Sequence, residues 1–127
     1  MTVIDANIVL RYLLDDVEEQ SDRAAALIEE GPALVPIEVL AEVVYVLRGV
    51  YDVERRAIAE SLLRLTDART VRTPEPEVVR HSLSCFAETS LDFVDCLLAG
   101  RARNGATVPT FDRSLEKALE DAGNTGP

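Results

Sequence analysis

Apolar positions follow one another along this chain in two alternating rhythms. Thr2-Val3-Ile4 is a short β-branched and apolar run that stops at Asp5, which predicts a buried strand followed by a turn. Ile8, Val9, Tyr12 and Leu13 then recur at helical spacing, up to the acidic stretch Asp15 to Glu19. Ser21 or Asp22 is expected to cap a second helix, with Ala24, Leu27 and Ile28 as its apolar stripe and Gly31 as its stop. Ala33-Leu34-Val35 predicts another strand. From Pro36 to Arg48 apolar residues run all the way round the helix, a pattern that predicts an interior position.

Beyond Gly49, Asp52 is expected to cap a helix with Ile58, Leu62 and Leu65 on one face. Arg69-Thr70-Val71-Arg72 predicts a third strand near a sheet edge. Thr73 with Pro74 marks the next helix start, and Val78, Val79, Leu83 and Phe86 form its stripe. A helix from about Leu91 to Arg103 should end at Asn104-Gly105. Ala106 to Thr110 is a further strand candidate, with Pro109 confined to its end or to an edge. Ser114 to Leu119 predicts a last helix. Short strands alternating with longer helices imply α/β class: a three-layer α/β/α sandwich on a central, mostly parallel sheet. A single domain over residues 1–122 is expected, followed by a frayed tail at 123–127.

Composition narrows the chemistry. The 127 residues carry 23 acids against 13 lysines and arginines, a net charge of −10 that argues against holding nucleic acid by bulk charge. Residues 1–47 concentrate this, with ten acids and two arginines. Two cysteines, Cys85 and Cys96, and one histidine, His81, cannot build a zinc site. The thiols lie in apolar runs, which predicts reduced core residues and a cytoplasmic setting. No signal peptide or membrane span is expected, because Asp5 interrupts the first apolar run.

Carboxylates must therefore carry any chemistry. Asp5 follows the first strand, where open parallel sheets bind ligands, and Asp112 lies two residues past the strand expected to end at Thr110. Glu42 sits among Ile37, Val39, Leu40, Ala41, Val43 and Val44, which predicts a desolvated carboxylate in need of a partner. Asp95 lies in Leu91-Asp92-Phe93-Val94-Asp95-Cys96-Leu97-Leu98-Ala99, a full turn inside the expected helix. Asp92, on the same face, lies near the helix start, where capping or compensation of the helix dipole would explain it without chemistry. Each acid taken alone reads as a solvated surface charge. Two in apolar helices and two at strand ends suggest a converging set, which would repel unless cations separate it. All-oxygen donors select hard divalent ions, magnesium or manganese, which suit phosphodiester hydrolysis.

Val3-Ile4-Asp5-Ala6-Asn7, Leu40-Ala41-Glu42, Asp92 to Ala99 and Thr110-Phe111-Asp112 resemble the four acidic motifs of PIN-domain ribonucleases, in the right order and spanning nearly the whole chain. The similarity is greatest to the VapC-like toxins of bacterial toxin–antitoxin pairs. Ala6 departs from the pattern, which commonly has Thr or Ser there. The resemblance implies a metal-dependent endoribonuclease with Asp5, Glu42, Asp95 and Asp112 as its acidic cluster and Asp92 as an accessory ligand. Asn7 and Thr110 would orient ligands or water from one layer out. It also implies water attack in line on RNA, leaving 3′-hydroxyl and 5′-phosphate ends, a homodimer, and a cognate VapB-like antitoxin presenting an Arg to the carboxylates.

Arg11, Arg101, Arg103 and Arg113 lie near these motifs and are candidates for phosphate contact or plain solvated charges. Tyr12, Tyr45 and Tyr51 are expected in core or dimer packing. Two rival readings stand beside the nuclease. One is a PIN-like binding module without metal. The other is a phosphotransferase using Asp5 as nucleophile, for which Asn7 and Lys117 are poorly suited.

Overall fold

Three very short parallel strands organise the protein, seen here in a computed structural model that describes residues 1–121. The elements run β1 (Thr2–Val3), α1 (Ala6–Leu14), α2 (Glu18–Glu30), β2 (Ala33–Leu34), α3 (Ile37–Gly49), α4 (Arg55–Asp67), β3 (Val71–Arg72), α5 (Pro76–Glu88), α6 (Phe93–Arg103) and α7 (Arg113–Asp121). The sheet order is β1-β2-β3, all parallel, with Thr2 opposite Ala33 and Ala33 opposite Val71. Backbone bonds extend the ladder past each strand, from Ile4 N to Leu34 O (2.8 Å) and from Val35 N to Arg72 O (2.9 Å). Ile4, Ala33, Val35 and Val71 are buried along it, so the α/β class and the parallel sheet are as expected. The tail expected at 123–127 lies outside the described residues.

The core gathers Ile4, Val9 and Ile28 with Leu40, Val43, Ile58, Leu62, Val79 and Leu83. Helix α3 packs against α1, α4 and α6, while α5 joins α4 to α6. Gly31 (φ +48°) lets the α2–β2 turn pass the Thr70 backbone, where a Cβ would come within 2.6 Å of the carbonyl oxygen. Gly100 does comparable work between α5 and α6. A Cβ there would lie 2.6 Å from Ser82 Oγ and 2.8 Å from the Val78 carbonyl, to which Ser82 Oγ already donates at 2.6 Å.

Several local expectations are corrected. Helix α2 begins at Glu18, where Glu18 and Glu19 complement the positive helix end. Ser21 is inside it, buried, and its Oγ donates to the Arg11 carbonyl at 2.9 Å. Asp52 does not cap α4: it takes a left-handed φ of 53° and pairs with Arg48, and Glu54 occupies the cap position. Helix α5 starts at Pro76 rather than Pro74, after Glu75 in a left-handed conformation. Residues 106–110 form no strand. Ala106 N instead bonds back to the Arg101 carbonyl at 2.9 Å, and Pro109 has no N–H to offer a ladder. Helix α3 is not buried all round, since Tyr45 is 76% exposed.

Replacing Gly100 by Ala would ordinarily favour a helix by about 1 kcal/mol. Here Gly100→Ala should destabilise the fold by roughly 1–3 kcal/mol, because the Val78 backbone cannot give way. Urea unfolding checks this, and an unchanged or raised midpoint would contradict the close approach.

Candidate active site

Two of the sequence-selected acids are fixed by helix starts. Asp5, exposed after β1, is the N-cap of α1: its Oδ1 accepts from Ile8 N at 3.0 Å. Asp112 does the same for α7, with Oδ1 accepting from Leu115 N at 2.9 Å. Both tasks follow from the preference for Asp where the first helical N–H groups lack partners. Each carboxylate leaves its Oδ2 outside these bonds. Thr110 fixes the approach to Asp112, because its Oγ1 accepts from Asp112 N at 3.0 Å. Asn7 is exposed in the first turn of α1.

Asp92 and Asp95 open α6. Asp92 occupies the cap position, yet its side chain makes no capping hydrogen bond, so capping does not account for it. Asp95 is in the first turn rather than a full turn inside, and is half-buried. A helix N-terminus favours a charged carboxylate. Asp95 nevertheless has its carboxyl raised above the ordinary range, by desolvation first, then by the charges of Asp112 and Asp92. These three acids thus share one electrostatic neighbourhood. The charges of Asp5 and Glu42 are not among those acting on Asp95. They stand on α1 and α3, which pack on one another, and α3 packs on α6.

Glu42 departs most from expectation. It is exposed, because Leu40, Val43, Val44 and Leu47 turn the buried face of α3 away from it. Its apolar neighbours in sequence include exposed ones, so desolvation does not single it out. Among the described residues, no group of three or more His, Cys, Asp or Glu side chains stands in an arrangement that could hold a metal ion. The donor chemistry itself, carboxylate oxygens only, suits a hard divalent ion.

The candidate cations divide. Arg11 pairs with Asp16 at 2.8 Å, and Arg101 with Glu75 at 3.1 Å. Arg103 and Arg113 are exposed and enter no ion pair among the described residues. Tyr12 donates to Glu29 (3.2 Å), and its phenol is pushed up, by burial first and then by that carboxylate. Tyr45 and Tyr51 are exposed rather than core residues.

A cleft of about 790 Å³ opens between α5, α6 and α7, with Cys85, His81, Glu88, Arg103 and Lys117 on its wall and none of the sequence-selected acids among its lining. Cys96 is buried as expected, but Cys85 is half-buried and reaches this cleft. The Cys96 thiol donates to the Leu91 carbonyl at 3.8 Å and its sulfur acts on the neighbouring Cys85 thiol. With Thr89 and the Arg55 charge, this holds the Cys85 thiol down at about 7, while Cys96 is pushed far up. Arg55 is itself fixed, its guanidinium over the Phe86 ring and its Nε donating to the Phe86 carbonyl at 2.8 Å. Sequence spacing gave no hint of this pair, because Arg55 arrives from 30 residues away in the chain. Alkylation by iodoacetamide, followed by peptide mass spectrometry, should modify Cys85 with a midpoint near pH 7 and leave Cys96 untouched in the folded protein. A Cys85 midpoint at an ordinary thiol value, about 8.5, would contradict this account of its surroundings.

No helix among the described residues is long and apolar enough to cross a membrane. No curated protein and no solved structure matches the chain. The PIN domain matches residues 2–119, nearly the whole length, and the parallel sheet with acids at the ends of β1 and the start of α6 agrees with that match. On this ground the chain belongs to the PIN domain family, whose fold is of nuclease type.

Proposed function

We propose that this protein is a metal-dependent endoribonuclease of the VapC-like toxin kind, restrained by a cognate VapB-like antitoxin and active as a homodimer. The observation that carries the reading is Asp95, a carboxyl desolvated and repelled by Asp112 and Asp92. Such crowding destabilises a fold unless a positive charge relieves it. Folds retain strain of this sort at functional sites. Magnesium or manganese among Asp5, Glu42, Asp95, Asp112 and the accessory Asp92 would supply charge to the scissile phosphate and acidify a nucleophilic water.

The protein's own residues have separable tasks in this reading. Asp95 and Asp112 supply the negative field that selects the ion. Thr110 holds the Asp112 backbone, and α1 orients Asp5 through its cap. Asn7, exposed beside Asp5, orients water. An antitoxin guanidinium offered to the same carboxylates would relieve their repulsion as a cation does. Exposed Tyr45, Val50 and Val94 offer apolar area for the second copy. The lack of a ready three-acid group among the described residues favours a second reading, a PIN shell that binds a partner without metal. Manganese titration separates the two.

Asp95→Asn should lower RNA cleavage in magnesium or manganese by about 100-fold, the scale of losing a positioned ligand. Product ends should be 3′-hydroxyl and 5′-phosphate. Undiminished cleavage by this variant would remove Asp95 from the reaction. The same substitution has a pH signature in chelator. A carboxyl whose folded pKa is raised favours the fold at pH below its unfolded pKa, and that contribution is lost as pH rises through the folded value. Asp95→Asn should therefore stabilise the metal-free protein at neutral pH by roughly 0.5 kcal/mol, the scale of a screened charge pair, and give no gain in acid.

A further inference from the structure

Phe111 is fully exposed, the most accessible large apolar side chain among the described residues. Its neighbours are not loose. Thr110 is half-buried and accepts from Asp112 N, and Asp112 caps α7 with both its side chain and its carbonyl, the latter bonded to Glu116 N at 2.9 Å. The backbone on the C-terminal side of Phe111 is thereby fixed, while the ring buries nothing. An aromatic ring left in water forgoes the burial that ordinarily rewards one. Arg113 follows at the first position of α7, where a cation runs against the helix dipole, and it too is exposed without an ion pair among the described residues. Neither choice serves the stability of the fold.

We infer that Phe111 is a stacking platform for a nucleobase beside the scissile phosphate, with Arg113 against a neighbouring phosphate; this rests on the nuclease reading above. Single-stranded nucleic acid is held by an exposed aromatic that takes the base face and by cations that track the backbone. Phe111 and Arg113 supply both within three residues, on either side of Asp112, whose charge acts on Asp95. Farther along α7, Lys117 lines the same cleft as Arg103 of α6, with Glu88 and Asp121 also on its wall. A net charge of −10 leaves little general attraction for RNA, which makes a local aromatic contact the more valuable. Stacking is tolerant of sequence, so Phe111 sets affinity and register rather than a strict base preference.

The chain has no tryptophan, so Phe111→Trp places a single reporter at this position. In an Asp95→Asn background with magnesium, a 12-residue oligoadenylate should quench that fluorescence. An abasic ribose-phosphate 12-mer of equal charge should not. With the Asp95-intact enzyme, Phe111→Ala should raise KM for a single-stranded RNA roughly 10-fold with kcat within about two-fold, and Phe111→Tyr should restore it. Arg113→Gln should weaken binding of both 12-mers. Absence of quenching by oligoadenylate, equal quenching by the abasic strand, or an unchanged KM in Phe111→Ala would each overturn the assignment. Quenching only by a protein partner would overturn it as well. Failure of the nuclease reading shows separately, as no metal-dependent RNA cleavage by the protein with Asp95 and Phe111 intact.

Discussion

The contact on which the site depends is the approach of α6 to α5 at Gly100, where α6 itself contributes no side chain. Phe93, Cys96, Leu97 and Gly100 lie at helical spacing on the buried face of α6. Gly100 meets Ser82 and Val78 across the interface, and that sets the rotation of α6 about its axis. Asp95 precedes Cys96 by one residue and so points about 100° away from the seam. Packing thus decides that Asp95 is half-buried beside Asp112 and Asp92 rather than enclosed in the core or fully in water. The same seam leaves Cys96 buried and Cys85 half-buried, while Arg55 of α4 reaches the Phe86 ring of α5.

The acids divide their work between fold and chemistry. Asp5 and Asp112 satisfy orphan backbone donors at the starts of α1 and α7, tasks that any Asp at an N-cap performs. Their value to a reaction lies in what those caps fix: the position of a carboxylate at the end of β1 and at the start of α7. Asp92 is different, since it holds the cap position of α6 without making the bond. Asp95 is different again, raised in spite of a helix terminus that should favour its charge. A protein selected for stability alone would replace such an acid with an amide.

Much of this was legible in the sequence, for physical reasons. Short apolar runs and 3.6-period stripes locate the three strands and seven helices of the described residues, because the buried helical positions follow that period, though a fourth expected strand does not form. Helix starts were less legible. Ser21, Asp52 and Thr73 are good caps locally, but Ser21 is taken by the Arg11 carbonyl and Asp52 by a left-handed turn. Ala106 to Thr110 has the composition of a strand, yet its backbone folds back on the end of α6. The burial of Glu42 is not legible, since an apolar sequence round a helix does not say which faces find a partner. The acids of α6 were found by their apolar surroundings. The Cys85–Cys96–Arg55 group and the bare Phe111 ring depend on tertiary placement that no local pattern encodes.

The most direct measurement is anomalous diffraction at the manganese edge from crystals soaked in a manganese salt. A peak within coordination distance of the Asp95 and Asp112 carboxylates, lost in crystals of Asp95→Asn, is the expected result. Crystals at millimolar manganese with no peak at those carboxylates, or with one only at unrelated acids, would contradict the claim that this crowded corner of α6 exists to hold a cation.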